Sequence, residues 1–283
     1  MGLLGIFCLI VSRCLAQVPT ENALLWEITK PGQAKPSYLF GTIHLICPAD
    51  FSLSDSVKAA VSKTEQLALE MDMDDPGMMV SMMGAMQMKA GESLKKLVSE
   101  EEYKRLDQFY GDSVGVPLAM FEKAKPFMMM GPLFNAVLDC QPESYEMSLV
   151  ALAANQKSEV IGIETLEEQL GVFDSIPYKD QMKMILSMID SLPSARREFK
   201  ELVAIYKDQD INKLYTTTLQ SAYGMEANDE LLLFARNKKW ISRMEKIMTE
   251  KPTFFAVGAA HLGGEKGVIT LLRKEGYQVR PIR

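Results

Sequence analysis

Histidine is almost missing from this chain: 283 residues contain two, His44 and His261. Any site that needs imidazole must draw on that pair. Basic clusters are missing as well. The formal net charge is −6 and the pI about 5.2, a poor match to nucleic acid, whose phosphates require neutralisation by Lys or Arg. No apolar run approaches the roughly twenty residues of a bilayer-spanning helix, so no integral membrane span is expected. G-x-S-x-G, P-loop, G-x-G-x-x-G, H-E-x-x-H and C-x-x-C patterns do not occur, and the chemistry each would carry has no local signature here. Low-complexity linkers and solenoid-length repeats are absent too.

What is present is enough apolar material for a core, 47% of residues against 24% charged, so disorder is excluded. The opening segment, MGLLGIFCLIVSRCLAQ, reads as an export signal over residues 1–16. Its apolar stretch is too short to span a bilayer, and small residues precede Gln17. No basic residue precedes the stretch and Arg13 interrupts its end; an uncleaved, membrane-associated N-terminal segment is the alternative. The remaining residues, 17–283, read as a single domain that is exported, periplasmic or secreted. Two cysteines remain, Cys47 and Cys140. Export permits a disulfide between them, but sequence alone leaves the pairing open.

The two histidines sit in matching contexts, SYLFGTIHL and FFAVGAAHL. Each is an apolar strand followed by Gly-x-x-His-Leu. LLWEIT and SYLFGT, separated by the turn cluster KPGQAKP, predict a β-hairpin. SLSDSVKAAVSKTE predicts a helix opened by Ser52 and Asp55, and SEEEYKRLDQFYG one opened by the Ser99–Glu102 capping box. QLALEMD and EVIGIET read as strands leading to Glu70 and Glu164. DDPGMMVSMMGAMQMKAG reads as a methionine-rich helix, either core filler or an adaptable apolar surface. Helices follow one another from Pro177 to Lys251, with breaks near SLPS and AYGMEAND. The chain ends in strand (TFFAVG), histidine loop, helix (EKGVITLLRKEG) and strand (YQVRPI). The expected fold is α/β: a central mixed sheet built from N- and C-terminal strands, with a large helical insertion.

Glycine at a strand end allows a sharp turn, and open α/β sheets bind ligands beyond the carboxyl ends of their strands. If the histidine loops lie on neighbouring strands, their imidazoles converge. Two imidazoles plus one or two carboxylates suit a divalent transition metal, which makes His44, His261, Glu70 and Glu164 the candidate ligands. Simple turn-capping by each histidine is the plainer alternative. In NDELLLFARNKKWISRMEKIM, Arg236 and Asn237 follow an apolar run. Arg236 can snorkel to solvent or point inward to hold a carboxylate or an oxyanion. Cys47 lies three positions after His44, but nothing further suggests cysteine–histidine catalysis.

Together SYLFGTIHL, LALEMD, SLVALAANQKSEVIGIETLEEQL, LLLFARNKKW and FFAVGAAHLGGEKGVITLLRKEGYQV span almost the whole chain after the leader, and they resemble the TraB/GumN family, which includes the Tiki proteins. The resemblance implies a fold similar to the erythromycin-esterase and ChaN-like proteins. It also implies a site made from His44, His261, Glu70 and Glu164, with Arg236 and Asn237 beside it. Tiki members are described as metal-dependent proteases, favouring Mn or Co, that cut a peptide from an extracellular signalling protein. Other members are linked to inhibition of a peptide pheromone, and GumN to a polysaccharide gene cluster. Many relatives carry aspartate where this chain has Glu146, and that position is left out of the expected site.

Two functions follow as expectations. One is a metal-dependent hydrolase, a peptidase first of all, using Mn, Co or Zn. There His44, His261 and one of the two glutamates hold the ion, the other glutamate is a general base, and Arg236 stabilises the oxyanion or grips a substrate carboxylate. The other is a non-catalytic protein that captures a peptide or small ligand in the same cleft. Haem binding, by analogy to ChaN, is a distant third.

Overall fold

The computed structural model describes residues 18–220 and 229–282. The expected export signal lies outside them, as does most of the expected AYGMEAND break. LLWEIT and SYLFGT form the hairpin β1 (Leu25–Thr29) and β2 (Ser37–Thr42). The other strands are β3 (Gln66–Leu69), β4 (Glu159–Gly162), β5 (Thr253–Gly258) and β6 (Gln278–Ile282). They make one six-stranded sheet in the order β4-β3-β5-β2-β1-β6. The first four of that order run parallel, and β1 is antiparallel to both of its neighbours.

This is the mixed α/β architecture expected from the sequence. The late strand β5 slots between the early strands β3 and β2, so both chain ends build the sheet centre. Parallel strands need both faces covered and therefore read as unbroken apolar runs. TFFAVG and SYLFGT are buried at every position. Trp26, Phe254 and Phe255 are fully buried, each worth about 1.5–3 kcal/mol by transfer out of water. Pro281, which cannot donate to a ladder, falls on the outer strand β6.

The inserted helices carry a second apolar cluster around Leu106, Tyr110, Leu133 and Ile185, and Phe199 packs against both clusters. The methionine-rich segment contributes the helix Met78–Ala85. Ser99 and Glu102 form the predicted capping box. One cap differs from expectation: the helix Asp55–Ser62 is capped by Ser54, not Ser52. The reason is tertiary. The backbone N–H and C=O of Ser52 are both engaged by the Tyr145 hydroxyl, which keeps Ser52 out of the first turn. Cys47 and Cys140 are joined in a disulfide. Among the described residues no helix is long and apolar enough to cross a membrane.

Candidate active site

Because β4, β3, β5 and β2 are adjacent and parallel, their carboxyl ends share one edge of the sheet. Glu70 directly follows β3, and Glu164 lies two residues beyond β4. His44 and His261 lie just past β2 and β5. The two Gly-x-x-His motifs use their glycines differently. A Cβ on Gly41 would stand 3.0 Å from Ala259 Cβ and Leu262 Cδ2, so that glycine lets the two histidine loops meet. A Cβ on Gly258 would stand 3.3 Å from His44 Nε2, 3.5 Å from Glu70 Oε1 and 3.6 Å from His261 Cδ2. The absence of that methyl leaves a space which both rings and one carboxylate face.

Each imidazole is oriented through Nδ1. Asn237, just inside the helix Ala235–Glu250, donates its amide to the carbonyls of Lys266 (2.9 Å) and His261 (3.4 Å). Its Oδ1 must therefore accept the His261 Nδ1 proton, at 2.5 Å, and Nε2 keeps its lone pair. His44 Nδ1 stands 2.9 Å from Glu146 Oε1, which also accepts the Thr42 hydroxyl at 2.6 Å. Ser144 donates to the second oxygen of Glu146 at 2.9 Å. Histidines held by a carboxylate or amide on one nitrogen, with the other turned toward a common space, have the pattern of metal ligands.

Glu70 Oε1 accepts the Gly258 N–H at 2.9 Å and lies 3.8 Å from His261 Nε2. Its Oε2 accepts Gln169 at 3.1 Å and Arg236 Nη2. Arg236 points inward, between Glu70 and Glu164. Glu164 is bound by Arg236 at both oxygens and by Trp240 Nε1 at 3.2 Å. The remaining guanidinium nitrogen, Nη1, donates to Leu232 O at 3.1 Å and lies 3.4 Å from His261 Nε2. The Trp240 ring covers His261, with centroids 4.4 Å apart. All six residues singled out in the sequence thus meet here. Glu146, Thr42, Gln169 and Trp240 join them.

Electrostatics set the two histidines apart. Burial pushes His261 down to about 3, and the nearby Arg236 charge adds to that. Desolvation opposes protonation of His44 too, but the hydrogen bond and charge of Glu146, with Glu70 behind, raise it to about 9. Its ring is 64% exposed, so solvent supports the charged form as well. Burial would raise Glu70, yet surrounding positive charge holds it at about 2. His261 is neutral above about 3, so at neutral pH the charges that hold Glu70 ionised are Arg236 and the protonated His44.

The signs follow from linkage. The His44 pKa lies above its unfolded value, so the His44–Glu146 pair stabilises the metal-free fold below about pH 6.5; that contribution is lost as pH rises through about 9. The His261 pKa lies below its unfolded value, so neutral His261 favours the fold above about pH 6.5, with loss as pH falls toward about 3. Imidazole NMR of metal-free protein is expected to show two ring signals. One is half-titrated near pH 9 and the other is still unchanged at pH 5. Two titrations near the ordinary histidine value would contradict this environment.

The donor chemistry fits a divalent transition metal: two imidazole nitrogens beside a carboxylate oxygen, with His261 Nε2 also 3.4 Å from Arg236 Nη1. Among the described residues, no three His, Cys, Asp or Glu side chains are grouped closely enough to hold an ion as they stand. A cavity of about 770 Å³ adjoins the site. Of the residues above, Glu164 alone lines it, with Met71 and Asp72, which follow Glu70, along its wall.

Comparison with known proteins gives the family. The sequence model of the TraB/PrgY/gumN family matches residues 24–281. Metalloprotease TIKI2 of Danio rerio is 24% identical over 91% of this chain and 60% of its own length. Metalloprotease TIKI1 of Homo sapiens is 23% identical over 91% of this chain and 61% of its own. A metalloprotease TIKI homolog of Nematostella vectensis is 21% identical over 96% and 70%. The chain thus spans about 60% of the length of the first of these relatives. No solved structure matches it.

Proposed function

Because the chain belongs to the TraB/PrgY/gumN family, we propose that it is a metal-dependent hydrolase, a peptidase first of all, working at the carboxyl edge of the sheet. The observation that carries this reading is the pair of imidazoles fixed through Nδ1 by Glu146 and Asn237, with Glu70 between them. His44, His261 and Glu70 would hold Mn, Co or Zn. A bound ion supplies Lewis acidity and lowers the pKa of water toward neutrality.

The chain's own groups do the rest. Glu70 is the carboxylate placed to act, since Oε1 has one lone pair beyond its bond to Gly258 and faces the space between the rings. Glu164, fully engaged by Arg236 and Trp240, serves as the anchor of Arg236. Arg236 in turn fixes Glu70 and keeps it ionised, a role its donors are already filling. Glu146 orients His44 through its Nδ1. The adjoining cavity reaches the site at Glu164.

The named activity of the relatives as metalloproteases supports a peptide substrate. Export is supported by the disulfide, which persists in oxidising compartments. A binding protein using the same cleft is the second reading, favoured by the ligands not yet being gathered. Digestion of a peptide library with added Mn, Co or Zn, against a chelated control, separates the two. Chelator-sensitive cleavage supports the hydrolase, and its absence with all three metals leaves the binding protein.

A further inference from the structure

Two irregular segments meet beneath the His44–Glu146 pair. One follows β2 and carries His44 three positions before Cys47. The other follows Cys140 and leads into the helix Tyr145–Gln156, whose second residue is Glu146. Besides the disulfide, the two segments are tied by the Thr42 hydroxyl at the end of β2, which donates to Glu146 Oε1, and by a backbone bridge. Ile46 N–H donates to Glu143 O at 3.1 Å, and Glu143 N–H to Ile46 O at 2.8 Å. The Tyr145 hydroxyl contacts Ser52 further along. Of these contacts, Thr42–Glu146 alone involves a strand of the main sheet. The disulfide closes a span of 93 residues that includes much of the helical insertion, so no short stretch of chain holds His44 near Glu146.

We propose that the Cys47–Cys140 disulfide is a positioning element of the active site, holding the His44 loop against Glu146 so that Nε2 of His44 faces Glu70 and His261. Its partner histidine needs no such tie. His261 lies in the turn just past β5 and is held through Asn237 by the helix Ala235–Glu250, elements that pack in the main core. The bond therefore governs one half of the site. Cys47 also lines a cavity of about 200 Å³, which gives small reductants a route to the sulfurs. Two equivalents of a small thiol deliver two electrons and two protons. The first thiolate forms a mixed disulfide with one cysteine sulfur and frees the other as a thiol; the second attacks the mixed disulfide, leaving as the oxidised small-molecule disulfide and releasing the remaining cysteine thiol. The inference rests on the hydrolase reading only in treating His44 as a working residue.

The test compares oxidised protein, protein reduced in the folded state, and Cys47→Ser/Cys140→Ser. Far-UV circular dichroism, the downfield Nδ1–H signals of the two histidines, and Mn²⁺ affinity are read on each. The expected result is preserved dichroism, an unchanged His261 signal, loss of the His44 signal, and Mn²⁺ binding weakened about 10-fold or more, the scale seen when a partner of a metal ligand is removed. Unchanged His44 signal on reduction would overturn the proposal. So would joint loss of both histidine signals with the dichroism, which would make the disulfide a support of the whole fold. Should the double-serine protein not fold, in-situ reduction gives the same readout. If oxidised protein binds no Mn²⁺, the metal reading fails while the two histidine signals still decide the role of the disulfide.

Discussion

Glu70→Gln is expected to lower chelator-sensitive peptide cleavage by about 100-fold or more, the scale for losing a carboxylate that moves a proton or shapes the reacting centre. The change keeps side-chain size but removes the charge facing both imidazoles. It also places an amide where Oε2 now accepts two donors, from Gln169 and Arg236. If the new amide turns its N–H₂ away from those donors, it meets the Gly258 N–H instead. One unsatisfied contact is unavoidable, so metal affinity should fall with activity. Glu164→Gln is the informative partner, because Glu164 faces Arg236 and Trp240 and not the histidine space. It should retain metal. Equal loss of metal in both variants would return Glu164 to the ligand set.

Arg236→Met is expected to destabilise the protein by about 3–5 kcal/mol at pH 7, the cost of breaking a buried ion pair by removing one partner. Two carboxylates then lose their counter-charge inside the protein, since the Glu70, Glu164 and Arg236 side chains are all largely buried. In the wild type Glu70 is held near 2, below its unfolded value of about 4.3. Its ionised form therefore contributes stability above about pH 4.3, and that contribution is lost as pH falls toward 2. The variant should show a smaller deficit at pH 4.5, where a carboxylate freed of Arg236 can take up a proton. Urea midpoints at pH 7 and pH 4.5 check both parts. Arg243→Met is the control: Arg243 pairs with Glu168 in a position roughly a third exposed, and such pairs contribute about 0–1 kcal/mol. Equal losses in the two variants would deny the buried arginine its special place.

How far the sequence foretold this site depends on the kind of contact involved. The Gly-x-x-His pairs were legible because strand, glycine and histidine are local features. Parallel pairing then obliges strand ends to share an edge. Glu70 and Glu164 followed by the same reasoning. Glu146 did not, because its partner His44 lies 102 positions away. Locally it looks like an acid in the first turn of a helix capped by Ser144, a position favoured by the helix dipole. Gln169 likewise reads as one polar residue of a capped helix, and only the fold turns it onto Glu70. Ser52 fits a cap by spacing until Tyr145 claims its backbone. The disulfide stayed open for the same reason: the Cα separation of 5.9 Å is set by two loops, which periodicity does not describe. Arg236 could point either way from its own helix, and it turns inward because two carboxylates await it.

The most direct measurement is the metal content of purified protein after incubation with Mn²⁺ and gel filtration, wild type against His44→Ala/His261→Ala, with folding of each checked by circular dichroism. The account predicts bound Mn²⁺ in the wild type and background levels in the folded double variant. Equal Mn²⁺ in both proteins would contradict it.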